Sequence, residues 1–347
     1  MVFIHEPGLI CMLGHPLLDI IADVDGEFLE KWRLKPNDAI LANEKTVGMD
    51  SEMCEKYSAR YVPGGSVQNT ARVVEWLSNY TPEFVTYFGC IGKDHFGEKM
   101  REEVKKANVN AVYSECDDEK TGFCTVAITN GGKNRSLCAY LGAANKFKPE
   151  HLDDHRNIID RARIIYASGF YINSSPESIL KLAIIASNRD DLSFAFNLSA
   201  TYLCDFFPDQ MNSILPYVDI LFGNEDEVVA LAKMKNYETT DVPGVAEKFA
   251  KQQRKNQNKK RLVVFTQGEK PVIVATSDGD LEIIPVPKLC AEQIIDTNGA
   301  GDAFVGGFLY RYVQGESIER CVHVGTYAAQ QIIQQSGVVC PSHKANF

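Results

Sequence analysis

Several features that mark whole classes of protein are missing from this sequence of 347 residues. Its ten cysteines form no C-x-x-C pair, which excludes the usual zinc and dithiol spacings and favours reduced thiols. No stretch approaches the roughly 18 apolar residues that a membrane helix requires. Basic side chains number 36 against 46 acidic ones, and the resulting charge of −10 disfavours binding to nucleic acid or to an anionic membrane.

Signal and nucleotide motifs are also missing. Residues 1–6 carry no basic segment, and Gly14 and Pro16 interrupt the apolar run that follows. We therefore expect a cytoplasmic protein without a secretory signal. The absence of G-x-x-x-x-G-K-S/T, of the protein-kinase signatures and of an early G-x-G-x-x-G excludes P-loop proteins, protein kinases and dinucleotide-dependent dehydrogenases.

What remains has the composition of a globular protein, with 45% hydrophobic and 24% charged residues. Short apolar runs alternate with longer amphipathic ones, which predicts buried strands separated by helices and hence a mainly parallel sheet covered on both faces. The predicted strands are 163–168, 193–197, 218–222, 262–266 and 272–276, and helices are predicted at 70–78, at 176–187 and from Glu225.

Two stretches depart from that rhythm. Residues 17–62 and 122–141 show period-two alternation, as in Phe123, Thr125 and Ala127. This pattern predicts antiparallel strands with one solvated face. A sheet of this kind inserted into an α/β domain is a candidate for a lid.

Two weaker patterns have ordinary explanations that we favour. His151 and His155 are four residues apart, which suits either a metal site or a solvated helix face, and no third ligand is near in sequence. Residues 251–261 contain six Lys and Arg but no aromatic residue, which is more typical of a solvated helix end than of a nucleic-acid site.

The strongest motif is the segment Asp296-Thr-Asn-Gly-Ala-Gly-Asp302, which leads directly into a helical pattern. Gly299 and Gly301 allow the backbone amides to converge at a helix N-terminus, which predicts an anion-binding site. Asp302 beside such a site is either a general base or a helix N-cap.

A second motif is Gly64-Gly65-Ser66-Val-Gln-Asn69, before a helical pattern. Paired glycines permit close approach of a ligand, and Asn69 offers donors and acceptors to hydroxyl groups, although a turn with Ser66 as N-cap is the simpler reading. Asp19 is a lone carboxylate in an apolar strand, and it either faces solvent or accepts hydrogen bonds from a diol.

Together these motifs resemble the paired signatures of the ribokinase-type carbohydrate and purine kinases. Within that family, the similarity to the adenosine kinases extends over nearly the whole chain. It includes Leu17-Leu-Asp-Ile, Leu34-Lys-Pro-Asn-Asp, Phe88-Gly-Cys-Ile-Gly, Asn134-Arg-Ser-Leu, Tyr217-Val-Asp-Ile-Leu-Phe-Gly-Asn-Glu and Val264-Phe-Thr-Gln-Gly.

The resemblance implies a ribokinase-like α/β fold, with a mainly parallel central sheet flanked by helices and a smaller, mainly-β lid. The large domain would comprise residues 1–16, 63–116 and 141–347, and the lid residues 17–62 and 117–140. The implied reaction transfers the γ-phosphoryl group of ATP to the 5′-hydroxyl of adenosine with Mg²⁺, giving AMP and ADP.

The resemblance also implies roles for individual residues. Asp302 would be the general base, the amides of Gly299, Ala300, Gly301 and Asp302 would hold the phosphoryl charge, and Arg135 would reach the phosphates from the lid. Nucleoside binding would fall to His15, Asp19, Gly64, Gly65, Ser66, Asn69, Cys124, Leu137, Phe170 and Asn298.

Phe170 would stack on the adenine, and Cys124 and Leu137 would line the base pocket from the lid; ordinary core packing is the alternative for all three, and it explains Cys124 and Leu137 equally well. ATP would contact Asn224, Thr266, Gly268 and Thr326, and Glu227 would organise Mg²⁺ largely through water and phosphate oxygens. Helix capping is the rival explanation for Asn224 and Glu227.

Three positions depart from the adenosine-kinase pattern. His15 stands where those kinases have Asn, Ala39 where Gln is frequent, and Thr326 where His is found. We expect His15 to alter a ribose or base contact or to make it pH-sensitive.

Two other functions stay open from sequence: a kinase of this family with another nucleoside or sugar as substrate, and a catalytically silent nucleoside sensor. The expected partners are adenosine and ATP, with neither nucleic acid nor membrane. The sequence does not decide between monomer and dimer, and we take a monomer as the expectation.

Overall fold

The computed structural model describes residues 7–36, 39–79, 81, 83–131 and 134–347. Asn37, Asp38 and the side chain of Ala39, which the sequence comparison singled out, lie outside the described residues. The strands within the described ranges are β1 (Ile10–Leu13), β2 (Leu17–Asp23), β3 (Ala39–Leu41), β4 (Arg60–Gly64), β5 (Val85–Gly92), β6 (Asn110–Cys116), β7 (Phe123–Thr129), β8 (Asn134–Tyr140), β9 (Ile164–Ser168), β10 (Ser193–Asn197), β11 (Ile220–Asn224), β12 (Leu262–Gln267), β13 (Lys270–Thr276) and β14 (Leu281–Ile284).

The helices accompany these strands along the chain. In the described ranges they are α1 (Gly26–Trp32), α2 (Met49–Lys56), α3 (Ser66–Leu77), α4 (His95–Lys106), α5 (Glu150–Asp154), α6 (Arg156–Ile159), α7 (Pro176–Ser187), α8 (Thr201–Phe206), α9 (Pro208–Ile214), α10 (Glu225–Met234), α11 (Val242–Ala250), α12 (Ala300–Tyr312) and α13 (Ile318–Ile333). None of them is long and apolar enough to cross a membrane.

The larger sheet has the strand order β14-β13-β12-β11-β10-β9-β1-β5-β6. Its strands pair in parallel from β6 to β12, and only the edge strands β13 and β14 run antiparallel. The predicted α/β class and mainly parallel sheet are therefore confirmed. The predicted strand at 218–222 begins two residues later, at Ile220.

Helices cover both faces of this sheet, which explains why its strands are apolar almost without interruption. Ile10 and Met12 of β1 pack into a core with α3, α12 and α13, whereas Cys11 and Leu13 pack into a second core with α7, α10 and α11. The carboxyl ends of the parallel strands consequently open onto a common edge.

The smaller sheet has the order β3-β8-β7-β2-β4 and is mixed. Pairs β2·β7 and β3·β8 are parallel, whereas β2·β4 and β7·β8 are antiparallel. The prediction of antiparallel strands throughout is wrong, because the chain leaves this sheet after β4 and contributes β5 and β6 to the larger sheet before it returns as β7. The lid boundaries remain a prediction.

The predicted solvated face of the smaller sheet is wrong as well. Helices α1 and α2 cover one face, where Ile20 and Ala127 are buried with Phe28. On the other face Ile21 and Val126 belong to a second buried cluster. Both faces of the smaller sheet are therefore buried, although its strands show the period-two alternation that is typical of a half-exposed sheet.

The basic segment 251–261 is not a solvated helix end, because α11 stops at Ala250. Lys259 forms a buried ion pair with Asp219, at 2.5 Å. The Arg261 guanidinium is buried and donates to the carbonyl oxygens of Val218, Phe249, Gln252 and Leu215 at 3.0–3.3 Å. Two of the six cations therefore have structural roles.

The two histidines of α5 and its C-cap make local contacts. The His151 and His155 rings lie 4.5 Å apart, and the Nδ1 atom of His155 lies 2.9 Å from the carbonyl oxygen of His151. Among the residues that the structure describes, no group of three or more His, Cys, Asp or Glu side chains is arranged to hold a metal ion.

Glu75 of α3 gives a prediction about stability. It is fully buried, its Oε1 atom accepts the Val85 amide at 2.7 Å, and burial raises its pKa to about 8. The folded protein therefore binds this proton more tightly than the unfolded chain, so stability falls as pH rises from the unfolded pKa toward 8. Glu75→Gln should remove this term, so its free energy of unfolding should fall less than that of the wild type between pH 5.5 and pH 8.5, by on the order of 1 kcal/mol or more.

Urea unfolding of both proteins at pH 5.5 and pH 8.5 measures this difference. Glu55→Gln, at an exposed position of α2, is the matched control and should leave the pH dependence unchanged. A Glu75→Gln variant with the wild-type pH dependence would show that Glu75 titrates normally.

Candidate active site

A cleft lies at the carboxyl edge of the larger sheet, where ligands bind in open α/β folds. Ser66 and Phe170 line both of its parts. The part that we call the polar half is lined by Asn197, Ser199, Asn224, Glu227, Thr266, Gly299, Gly301 and Asp302. The part that we call the apolar half is lined by His15, Leu17, Leu41, Gly65, Ala139, Leu141, Tyr171 and Tyr202, among others.

Asp302 lies at the third position of α12, not at its N-cap, which is Gly299. Its carboxylate accepts hydrogen bonds from Ser66 Oγ at 2.6 Å and from Asn69 Nδ2 at 3.0 Å. Burial raises the pKa of Asp302, and both hydrogen bonds oppose that shift. The two sequence motifs thus meet at this carboxylate, and capping does not account for it.

Ser66 differs from its simpler sequence reading in the same way. The N-cap of α3 is Gly65, and the Ser66 hydroxyl donates to Asp302 instead of capping the helix. Thr70, one turn along α3, donates to the backbone carbonyl oxygen of Asp302 at 3.2 Å. Helix α3 therefore fixes both the side chain and the backbone of this residue.

Of the four residues whose amides are predicted to hold the phosphoryl charge, Gly299 is the N-cap of α12 and the other three form its first turn. The Ala300 amide donates to the Thr297 carbonyl oxygen at 3.3 Å. Among the described residues, no group accepts a hydrogen bond from the amides of Gly299, Gly301 or Asp302. Donors without partners at a helix N-terminus bind anions.

The paired glycines are required by close packing. A Cβ on Gly64 would lie 2.3 Å from Oδ1 of Asp19. Gly65 has φ +88°, and its Cβ would lie 2.1 Å from the His15 carbonyl oxygen. The first glycine therefore makes room for the Asp19 carboxylate, and the second allows the turn into α3.

Asp19 and Asn69 carry hydrogen-bond acceptors close to Asp302, although neither residue lines the two halves of the cleft. Burial raises the pKa of Asp19 to about 7, with Arg135 and Arg72 opposing the shift and Asp302 adding to it. Its carboxylate accepts no hydrogen bond from any described side chain. The Asn69 Oδ1 atom is buried and, within the same described ranges, also lacks a donor. Buried acceptors without donors are costly unless a ligand supplies the hydrogen.

The apolar half differs from the sequence prediction on its lid side. Leu41, Ala139 and Leu141 line it, whereas Cys124 and Leu137 pack into the buried cluster on the same face of the smaller sheet. Residues at 137, 139 and 141 share one face, and the cleft meets only the carboxyl end of β8. Phe170 lines both halves of the cleft.

His15 lines the apolar half and is nearly buried. Its Nε2 atom lies 2.6 Å from Ser174 Oγ, and its ring packs 4.6 Å from that of Tyr171. Burial lowers the pKa of His15 to about 4, against a smaller opposing effect of Asn145. With this pKa the ring is neutral at pH 7, and the expected pH sensitivity of its contact stays a prediction.

Asn224 and Glu227 form a reciprocal cap at the start of α10. The Asn224 side chain accepts the Glu227 amide at 2.9 Å, and Glu227 Oε2 accepts the Asn224 amide at 3.1 Å. Burial raises the pKa of Glu227 to about 7. Capping and a place in the polar half therefore coexist.

The remaining predicted residues are spread more widely. Thr266 lines the polar half, and Gly268 (φ +60°) lies in the hairpin turn between β12 and β13 with open space at its Cβ position. Thr326 is buried in α13, and Asn298 is exposed. Neither of these two lines the two halves of the cleft.

Sequence reasoning missed Asn197 and Ser199, which line the polar half beside Glu227. Ser199 has a positive φ of 69°, which is uncommon for serine, and its amide donates to Asn197 Oδ1 at 3.0 Å. The sequence could have indicated Asn197, because it ends a predicted strand of a parallel sheet and ligands bind at the carboxyl ends of such strands.

Arg135, on β8, donates to Asp296 Oδ2 at 2.8 Å, and the Gly337 amide donates to the same oxygen at 3.0 Å. Arg60 of β4 also reaches the segment near the C-terminus, where it donates to Ser336 Oγ at 3.2 Å. The smaller sheet is thus connected to the first residue of the late motif.

The family model for pfkB carbohydrate kinases matches residues 27–345. The chain belongs to the pfkB family. Adenosine kinase 2 of Arabidopsis thaliana is 42% identical, covering 96% of this chain and 96% of the relative. Adenosine kinase of Schizosaccharomyces pombe is 38% identical, covering 96% and 97%.

Solved structures agree with this pfkB-family membership. Anopheles gambiae adenosine kinase, in complex with P1,P4-di(adenosine-5) tetraphosphate, superimposes with a TM-score of 0.86 at 43% identity, covering 96% of this chain and 97% of the other. Trypanosoma brucei brucei adenosine kinase, without ligand, gives a TM-score of 0.90 at 38% identity, covering 95% and 100%. The ribokinase-like fold predicted from sequence is confirmed.

Proposed function

We propose that this pfkB-family kinase transfers the γ-phosphoryl group of ATP to the 5′-hydroxyl of adenosine, giving AMP and ADP. The observation that carries the proposal is the position of Asp302. This carboxylate lies in the first turn of α12 with the amides of Gly301 and Asp302, accepts a hydrogen bond from Asn69 and is close enough to Asp19 to raise its pKa. The naming of 42% and 38% identical relatives as adenosine kinases supports it.

The hydrogen-bond acceptors of Asp19 and Asn69 suit the ribose of adenosine. The Asp19 carboxylate and Asn69 Oδ1 need donors, and the neighbouring hydroxyls of a ribose supply them. The apolar half, with Phe170 on its wall, suits a flat purine base that stacks on an aromatic ring. The ribose would then direct its 5′-hydroxyl toward Asp302.

In the reaction, Asp302 takes the proton of the 5′-hydroxyl as the 5′-oxygen attacks the γ-phosphorus and ADP leaves. The free amides at the start of α12 hold the charge on the transferring group, where positioned donors act most strongly. Arg135 leaves Asp296 for the phosphates when the smaller sheet closes as a lid, and closure excludes water.

Magnesium fits the polar half on chemical grounds. Glu227 is a buried carboxylate whose pKa is raised to about 7, and a neighbouring cation favours its charged form. Mg²⁺ typically uses one or two carboxylates together with water and phosphate oxygens. Glu227 and Asn224 would hold it, and the ion would neutralise charge on the phosphates of ATP.

The proposal extends to a reducing compartment. All ten cysteines are free, and most are buried. We accordingly propose a cytoplasmic location.

A competition assay tests the proposed substrate. The purified protein would receive Mg-ATP with equal concentrations of adenosine, inosine, guanosine and ribose, and mass spectrometry would resolve the phosphorylated products. We expect AMP to dominate. A dominant ribose phosphate or another nucleotide would overturn the substrate, and tight nucleoside binding without any product would favour a sensor.

Ser66 provides a separate prediction about pH. Its hydrogen bond lowers the pKa of Asp302, so Ser66→Ala should move the acidic limb of kcat to higher pH. A hydrogen bond to a charged group contributes about 1.5–3 kcal/mol, so activity near the acidic limb should fall at least tenfold and recover in more alkaline buffer.

The measurement is kcat as a function of pH for the wild type, for Ser66→Ala and for Thr70→Val. Thr70 bonds the backbone of Asp302 and not its carboxylate, so its variant should keep the wild-type profile. A uniform loss at every pH in Ser66→Ala would indicate a role other than tuning Asp302.

A further inference from the structure

His15 has a hydrogen-bond neighbour whose own partners fix the direction of the bond. Ser174 Oγ lies 2.6 Å from His15 Nε2, 2.6 Å from Asn145 Oδ1 and 3.2 Å from Asn173 Oδ1. Both amide oxygens are acceptors only, and a hydroxyl has a single hydrogen. The Ser174 hydrogen therefore goes to an amide oxygen, and His15 must be the donor to Ser174.

This direction determines the tautomer of His15. A neutral imidazole carries its hydrogen on one nitrogen, so protonated Nε2 leaves Nδ1 with a free lone pair. The low pKa of His15, about 4, keeps the ring in this neutral form. Within the described residues, no group donates to Nδ1. The apolar half thus contains a fixed acceptor, in a wall that also includes Ser66, Ser168 and Asn173.

The donors of the proposed substrate can be matched to the acceptors of the cleft. Asp302, Asp19 and Asn69 Oδ1 account for the ribose hydroxyls, as argued above. The remaining donor of adenosine is its 6-amino group, and His15 Nδ1 is an acceptor of the apolar half whose lone pair is fixed by the hydrogen bond from Nε2 to Ser174. We propose that His15, oriented by Ser174 and Asn145, selects 6-amino purine nucleosides by accepting a hydrogen bond from that amino group.

This inference rests on the proposed function and refines its base selectivity. A nucleoside without the amino group leaves Nδ1 buried against the base without a donor, which is costly. A 6-oxo purine places a carbonyl oxygen there, and two acceptors repel each other. Asparagine at this position would keep an acceptor oxygen, whereas leucine would not.

The test compares adenosine with purine riboside, which lacks the 6-amino group, as substrates of the wild type, His15→Leu and His15→Asn. We expect the wild type to prefer adenosine in kcat/KM by about tenfold to a hundredfold, the range for one buried hydrogen bond. His15→Leu should bring the ratio close to unity, and His15→Asn should retain most of it. Equal losses for both nucleosides in His15→Leu would overturn the inference.

A second measurement does not depend on a variant that folds. Nitrogen-15 NMR of the histidine-labelled wild-type protein distinguishes the tautomers, and we expect hydrogen on Nε2 of His15 and none on Nδ1. Hydrogen on Nδ1 would overturn the proposal. Absence of AMP with the wild-type enzyme would instead overturn the proposed function, whereas the tautomer is measured on the free protein and is scored separately.

Discussion

Asp302→Asn is expected to lower kcat by a factor on the order of 10²–10⁴ while the KM values change little. Asparagine has the same shape and keeps an oxygen that accepts from Ser66 or Asn69. It cannot take a proton from the 5′-hydroxyl. The loss should therefore appear in the chemical step and not in binding of adenosine or ATP.

Steady-state kinetics of AMP formation, with both substrates varied in turn, measures this effect. Asp209→Asn is a matched control, because Asp209 is an exposed acid in the first turn of another helix, α9. It should behave as the wild type does. Turnover of Asp302→Asn within a few-fold of the wild type would mean that Asp302 is not the base.

The second large effect is expected at Arg135. Its guanidinium is paired with Asp296, the residue that begins the loop leading to the amides at the start of α12. Because its charge should act mainly on the transferring phosphoryl group, Arg135→Ala should lower kcat by on the order of 10²–10³. The KM for adenosine should change much less, although Arg135 also lowers the pKa of Asp19.

Two companion variants separate this role from a structural one. Arg135→Lys keeps the charge but loses the planar, multiple-donor geometry, and we expect partial activity. Arg60→Ala removes another arginine of the smaller sheet, one that reaches the segment near the C-terminus, and kcat should remain close to the wild-type value. Equal losses of nucleoside affinity and kcat in Arg135→Ala would contradict the phosphate role.

The larger sheet was predictable because burial on both faces leaves a direct record in the chain. Each parallel strand, such as β9 or β10, is a short apolar run, and an amphipathic helix follows it. The smaller sheet was harder to predict. Its pairs β2·β7 and β3·β8 join segments far apart in sequence, and local alternation carries no information about which strands pair or in which direction.

The site shows the same division between local and long-range information. The Gly-rich motif indicated an acid beside an anion-binding loop, because both features lie within a few residues of each other. The hydrogen bond from Ser66 to Asp302 spans 236 residues, and the pair Arg135–Asp296 spans 161. Only the folded chain shows that Ser66 serves the late motif and not its own helix.

The prediction of base-pocket residues depended on where along β8 the cleft meets the strand. Cys124 and Leu137 lie on the expected face of the smaller sheet, but the cleft meets that face nearer the end of β8, at Ala139 and Leu141. A shift of two residues along a strand keeps the face and moves the contact by about 7 Å. Sequence similarity identified the strand face but not the contact position.

The position of the transferred phosphate tests the central claim most directly, because the cleft is proposed to direct the 5′-hydroxyl, and no other hydroxyl, toward Asp302. Proton-coupled phosphorus-31 NMR of the product formed from Mg-ATP and adenosine reads that position. We expect a triplet, from coupling to the two protons on C5′ of AMP. A doublet, from phosphate on the 2′- or 3′-oxygen, or the absence of any nucleoside monophosphate, would contradict the account.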